Sequence, residues 1–311
     1  MTTTSSGSAL STLGLTKRYG SRTAVDGLTI DIPLGVVAGF IGPNGAGKTT
    51  TMAVLLGLVA PTSGRATVLG HSIEDPGRYL GRVGALVEGP AFWPGLTGAE
   101  NLAVVATLAG HDPARIPDVL AFVGLAERAH DRFRQYSLGM KQRLGIAAAL
   151  LGDPELLILD EPTNGLDPAG ITEMRRLVAT LGAGRRTVLV SSHLLSELEQ
   201  VCAWLVVIDG GRLVYQGPAE AFAAGASPRL VLAAEHGADT PRLAAIAAAE
   251  GWPARPDGAG LLVELDGRDP AAVAAALNRA AAAEGITLAE LHVRRPSLES
   301  HYLATLEGAP R

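Results

Sequence analysis

The spacing of apolar residues along this chain changes character twice. From Leu10 to Gly217, short β-branched runs alternate with longer stretches at helical spacing, the order expected when crossover helices join parallel strands. "VVAGFIG" (36–42), "LLILD" (156–160) and "RTVLVSS" (186–192) read as short buried strands. Between residues 97 and 152 the strand signals fade and the pattern turns helical, which predicts a helical insert. After "LVYQGP" the composition shifts to alanine-rich blocks, "PRLAAIAAAE" and "DPAAVAAALNRAAAAEG", separated by strand-like "RLVLAA", "GLLVELDG" and "ITLAELHV". Alanine is the best helix former. The order is approximately β, α, β, β, α, β and fits a split βαβ domain. The expected organisation is a leader over 1–9, an α/β domain over 10–225 with its insert, and a small α+β accessory domain over 226–311.

A length of 311 residues fits two such domains. The net charge is −5 and the Lys and Arg residues are scattered, so no feature calls for nucleic acid as a partner. Cys202 is the single cysteine, which excludes an intrachain disulfide framework and fits a reducing cytosol. No positive charge precedes Lys17 and no long apolar core follows the first Met, so the start does not read as a secretory signal. The most apolar stretches fall short of the roughly 20 residues that span a bilayer. The chain is expected not to cross a membrane by itself.

The strongest chemical signal is "GPNGAGKT": Gly42, Pro43, Asn44, Gly45, Ala46, Gly47, Lys48 and Thr49, followed by Thr50. It lies after an apolar strand and before a helix, as a phosphate-binding loop requires. Its glycines let successive backbone N–H groups face a phosphate, and the helix N-terminus adds a favourable dipole. Lys48 is suited to the β- and γ-phosphates and the Thr49 hydroxyl to Mg²⁺. "LLILDEP" ends a hydrophobic strand in Asp160 and Glu161, at the strand end where open α/β sheets meet ligands. Asp160 would support Mg²⁺ through its water shell, and Glu161 is placed to polarise an attacking water. Hydrolysis is the chemistry these residues favour.

Read with "YSLGMKQ", "NGLD" and "SSH", these motifs resemble the ATP-binding subunits of ABC transporters, in that family's order and over about two thirds of the chain. The resemblance implies ATP and Mg²⁺ as cofactors, a homodimer enclosing two ATP molecules, and a separate membrane permease served from the cytoplasmic face. It implies that Tyr19 stacks on adenine, that Ser137 and Gly139 bind the nucleotide held by a partner copy, and that His193 contacts the γ-phosphate. Taken alone, Ser137 before a helix is an ordinary N-cap. Asp167 matches the loop that communicates across the dimer, although Asp-Pro is also a helix-start signal. Tyr136, Leu138 and Met140 depart from the usual signature, and Leu138 takes the place of its first glycine. Glu88 occupies the position of a coupling glutamine and could meet Mg²⁺ or a water. That variant looks like exporters of the bacitracin and lantibiotic resistance type. In "GPAFWPGLT", Phe92 and Trp93 fit either a docking surface or packing against the insert. The alternatives are an ABC-type ATPase without a transport partner and, less favoured by Ser137, Gly139 and His193, a P-loop kinase.

Overall fold

The computed structural model describes residues 7–184, 186–194, 201–224, 228–258, 260–265 and 267–294. Residues 1–6 of the expected leader and 295–311 of the expected accessory domain lie outside the described residues. The leader ends sooner than the composition suggests, because Ser8 and Ala9 already belong to the first strand and Ala9 is buried.

The chain runs through β1 (Ser8–Tyr19), β2 (Arg22–Leu28), β3 (Asp31–Pro33), β4 (Val37–Ile41), α1 (Lys48–Leu55), β5 (Ser63–Val68), β6 (His71–Ser72) and β7 (Val83–Leu86). The helices α2 (Gly98–Ala109), α3 (Ile116–Phe122) and α4 (Leu138–Leu150) follow, then β8 (Leu156–Leu159), α5 (Pro168–Gly182), β9 (Thr187–Ser192), β10 (Trp204–Asp209) and β11 (Arg212–Pro218). Two sheets result. One is antiparallel, in the order β2-β1-β5-β6 with β3 also on β1. The other runs β11-β10-β4-β9-β8-β7 and is parallel except for the edge strand β11.

Every residue of β4, β8 and β9 is buried, which is why these strands read as continuous apolar runs rather than alternating ones. Leu10, Leu15 and Ile32 of the antiparallel sheet share one core with Phe40, Ile158 and Ile208 of the parallel sheet and Met52 of α1. Burying such a side chain stabilises by about 1.5–3 kcal/mol, so the sheet that carries the strand ends is fixed rigidly.

The helical insert is set by local signals. Thr97 accepts from the Glu100 N–H while the Glu100 carboxylate accepts from the Thr97 N–H, a reciprocal cap that starts α2. Gly84 lets α4 lie against β7: a Cβ there would stand 2.1 Å from the Ala149 carbonyl oxygen.

The second compact unit begins at Glu220, a few residues before the boundary expected near 225. The helix α6 (Ala219–Ala224) spans the division. The remaining elements are β12 (Arg229–Ala234), α7 (Thr240–Ala249), β13 (Ala254–Asp257), β14 (Gly260–Glu264), α8 (Pro270–Ala283) and β15 (Leu288–Arg294). The sheet order β13-β14-β12-β15, antiparallel throughout, makes two interleaved split βαβ units. Leu243 and Ala247 of α7 and Val273, Leu277 and Ala281 of α8 pack on Leu230, Leu232, Leu261 and Val263. The alanine-rich blocks are therefore amphipathic helices that pack one stripe on the sheet, with Ala247 and Ala281 in the buried stripe.

Candidate active site

The C-terminal ends of β4, β8 and β9 open side by side, and the turn after each carries chemistry. Gly42 to Gly47 follow β4, Asp160 and Glu161 follow β8, and His193 follows β9. The loop after β4 can wrap only because it lacks side chains at two points. A Cβ on Gly42 would lie 2.5 Å from the Ile208 carbonyl oxygen, and one on Gly47 would lie 2.4 Å from that of Ala24, at a φ of 102°. Pro43 and Ala46 lock the turn: Ala46 N–H donates to the Pro43 carbonyl at 3.1 Å and the Ala46 carbonyl accepts from Gly211 N–H at 3.0 Å.

Lys48, only 5 % exposed, donates to the Gly42 carbonyl at 2.6 Å and the Pro43 carbonyl at 3.3 Å. Its third direction meets Glu161 Oε1 at 3.0 Å. The other Glu161 oxygen, Oε2, is 2.7 Å from His193 Nδ1. One carboxylate thus joins the lysine of the loop to the histidine of β9. Glu161 holds this position with a φ of 47°, uncommon for a side-chain-bearing residue. Its N–H donates to Ser191 Oγ at 2.8 Å, and Ser191 donates in turn to Asp160 Oδ1 at 2.6 Å. The backbone strain is thereby tied down by the neighbouring strand, the pattern expected where side-chain direction matters.

Asp160 accepts from Thr49 Oγ1 at 2.7 Å through Oδ2. Hydroxyl and carboxylate oxygens side by side suit a hard divalent cation that keeps several waters. Among the described residues no group of three His, Cys, Asp or Glu side chains could hold a metal unaided. A cation here would need oxygens from a ligand and from water, which is how Mg²⁺ is held beside phosphates. The arrangement fits both groups: backbone donors for phosphate, and Thr49 with Asp160 for the cation.

A cavity of about 390 Å³ lies over the loop, lined by Tyr19, Arg22, Ala24, Asn44, Gly45, Gly47, Lys48, Thr49, Thr50, Glu161 and Asn164. Tyr19 is among its lining residues, with Lys17 Nζ of the same strand 4.9 Å from the ring centroid. The sequence did not single out Arg22 or Ala24, whereas Asn164 opens the "NGLD" motif. Arg22 and Ala24 come from β2 of the other sheet, and no local spacing signals their approach.

Other expected residues stand apart. Ser137 and Gly139 do not line the cavity. Ser137 caps α4, its Oγ accepting from Met140 N–H at 3.3 Å, and is exposed. Leu138 is 44 % exposed and leans on the loop before α5, with its Cδ2 3.0 Å from where a Gly165 Cβ would be. Tyr136 is buried beneath, its hydroxyl donating to the Arg128 carbonyl at 2.6 Å; burial foremost, then the Asp131 charge, pushes that phenol above its ordinary range. Asp167 caps α5 by accepting from Gly170 N–H at 3.1 Å, with Pro168 in the first turn. Glu88 is exposed at a φ of 59° and does not line the cavity. It lies two residues past Leu86, whose carbonyl accepts from the Asp160 N–H at 2.8 Å. The two aromatics of the following loop divide: Phe92 packs edge-on to Phe133 at 5.3 Å, whereas Trp93 is 48 % exposed.

The family described as ABC transporter matches residues 25–164. The bacitracin transport ATP-binding protein of Bacillus licheniformis is 49% identical over 212 residues, 67% of this chain and 69% of that protein. The lantibiotic transport ATP-binding protein of Streptococcus pyogenes is 42% identical over 202 residues, 65% of this chain and 87% of that one. A solved ATP-binding subunit of an ABC transporter superimposes with a TM-score of 0.62 at 30% identity, covering 70% of this chain and 92% of that chain. These likenesses show the family: the chain belongs to the ATP-binding subunits of ABC transporters, P-loop ATPases that couple ATP hydrolysis to transport.

Proposed function

We propose that this chain is the motor of an exporter of antibiotic peptides. It would work as a homodimer around two ATP molecules and drive a separate membrane-spanning permease from the cytoplasmic face of the membrane. The observation that carries the reading is Glu161, held between Lys48 at 3.0 Å and His193 at 2.7 Å beside the Thr49–Asp160 pair. The peptide class rests on the relatives that transport bacitracin and lantibiotics. Among the described residues no helix is long and apolar enough to cross a membrane, so transport by this reading needs a second protein.

In the proposed cycle, backbone N–H groups from Gly45 to Thr49 and the α1 N-terminus bind the phosphates. Lys48 exchanges Glu161 for the β- and γ-oxygens, and Tyr19 stacks on the base. Mg²⁺, when bound beside Thr49 and Asp160, supplies charge neutralisation of the β- and γ-oxygens. Glu161, released from Lys48, accepts a proton from the water whose oxygen attacks the γ-phosphorus while the bond to the β-bridging oxygen breaks. His193 holds the carboxylate in line and reaches the γ-phosphate. Ser137 and Gly139 serve the nucleotide of the other copy, because their own cavity lies elsewhere on the chain. Loss of the γ-phosphate then opens the dimer, a two-state switch set by differential binding. Glu88 would join the water shell of the cation as that switch closes, and Trp93 would meet the permease.

Glu161→Gln tests this. It should lower hydrolysis by about 10²–10⁴-fold, retain ATP binding and accumulate an ATP-dependent dimer measured by size and light scattering. Monomer alone in Mg-ATP, even with a permease present, would overturn the dimer reading. Full turnover would overturn the role of Glu161.

A further inference from the structure

The turn between β1 and β2 holds only Gly20 and Ser21, so Tyr19 and Arg22 face each other across the hairpin. Both side chains line the cavity. The Arg22 guanidinium extends to the phosphate loop: its Nη2 lies 3.5 Å from the position of a Cβ on Gly45. It thus stands beside the glycine turn, on the residue that pairs with Tyr19 across the hairpin.

Charge accounting makes this arginine distinct from the other cation in the cavity. Lys48 is matched by Glu161 at 3.0 Å. Among the described residues no carboxylate pairs with Arg22, and Asp26 on the same strand is taken by Arg212 at 2.8 Å. A guanidinium held over a glycine turn without a counter-ion is a ready partner for phosphate oxygens, which its planar fork matches in two places at once.

We infer that Arg22 is a further nucleotide-binding residue, one that clamps the α- and β-phosphates from the side opposite the backbone N–H groups of the loop. The inference rests on the reading of this cavity as the ATP site. The phosphate chain must run from the base platform at Tyr19 towards Lys48, and Arg22 borders the first part of that path. ADP and ATP therefore present the same oxygens to it.

The test is calorimetric titration of the full chain with ATP and with ADP at two salt concentrations, for wild type, Arg22→Ala and Arg22→Lys. The expected result for Arg22→Ala is a loss of about five- to tenfold in affinity for both nucleotides, with a shallower salt dependence. Arg22→Lys should recover part of that loss, because it keeps the charge and gives up the fork. Arg22 is exposed, and unchanged circular-dichroism melting of both variants shows that the fold is intact. Affinity of Arg22→Ala within twofold of wild type for both nucleotides overturns the inference. A loss confined to ATP also overturns it, since it moves the contact to the γ-phosphate. If the wild-type chain binds neither nucleotide while remaining folded, the reading of the cavity fails as well, which separates the two failures.

Discussion

Two helices of this chain begin where an anion could be met, and they are built in opposite ways. α1 starts inside a cage: Lys48 is buried, Gly47 has no room for a Cβ, and the side chains of Asp160 and Glu161 close one wall. α4 starts in the open, with Ser137 and Leu138 exposed and the Ser137 hydroxyl accepting from its own helix. Dipole and free N–H groups are common to both. What differs is the opposing wall. A helix start with walls can hold a phosphate by itself, whereas an open one needs another surface to complete it. The same contrast divides the two ends of β8. At its C-terminal end Asp160 and Glu161 contact the residues of the cavity, while at its N-terminal end Glu155 pairs with Arg82 and Asp153 with Arg186 in solvent-facing bridges.

The contrast can be broken by adding one methyl group to each helix start. Gly47→Ala forces a side chain into a left-handed backbone and against the Ala24 carbonyl. That costs about 1–3 kcal/mol and should weaken ATP binding by about five- to 150-fold. Gly139→Ala meets nothing nearer than Leu166 Cδ2 at 3.7 Å, so ATP titration of the isolated chain should change by less than about twofold. Equal losses in the two variants would erase the distinction between caged and open starts.

Ser137→Arg sharpens it further. Loss of the cap costs about 1 kcal/mol of stability. Steady-state phosphate release should fall by at least about tenfold, the value of one hydrogen bond to a charged group, while ATP binding by the isolated chain is retained. Normal turnover would show that the open helix start serves only as a cap.

The smallest effect lies at the far end of β8. The Arg82 hydrogen bond holds Glu155 below the usual carboxylate range, and the Arg186 bond does the same for Asp153. A depressed folded-state pKa gives stability that is present above the unfolded value, near pH 4, and is lost as pH falls through the folded value. These groups are largely exposed, so solvent screening leaves about a few tenths of a kcal/mol. Melting temperatures from pH 6 to pH 3 should show that part of the decline disappear in Arg82→Met, with nucleotide binding at neutral pH unaltered. A change in binding would mean that the two ends of the strand are coupled.

Much of the molecule is legible as sequence because its signals are local. The spacing from Gly42 to Thr49 specifies a backbone path whichever fold surrounds it, and a buried strand ending in two acids announces an exposed strand end. The split βαβ order of the second unit is likewise visible, since strand and helix differ in period. Trp93 and Phe92 are adjacent in sequence, yet Phe92 meets the ring of Phe133 while Trp93 is left exposed. That outcome depends on where Phe133 arrives, and no pattern in the loop encodes it.

By itself, then, the sequence determined the family through the order of its motifs, and from short-range signals the glycine turn from Gly42 to Gly47, the acids after β8 and the alternation of strands and helices. Tertiary structure alone decided which distant side chains share the cavity. Thr49 meets Asp160, Glu161 meets both Lys48 and His193, and Arg22 faces Gly45 because parallel strands set 4, 8 and 9 side by side under the hairpin of a second sheet. It also decided that Ser137 stays outside that cavity. The physical reason is that burial of β4, β8 and β9 orders the strands through non-directional apolar contacts, and such contacts fix neighbours that no spacing along the chain can name.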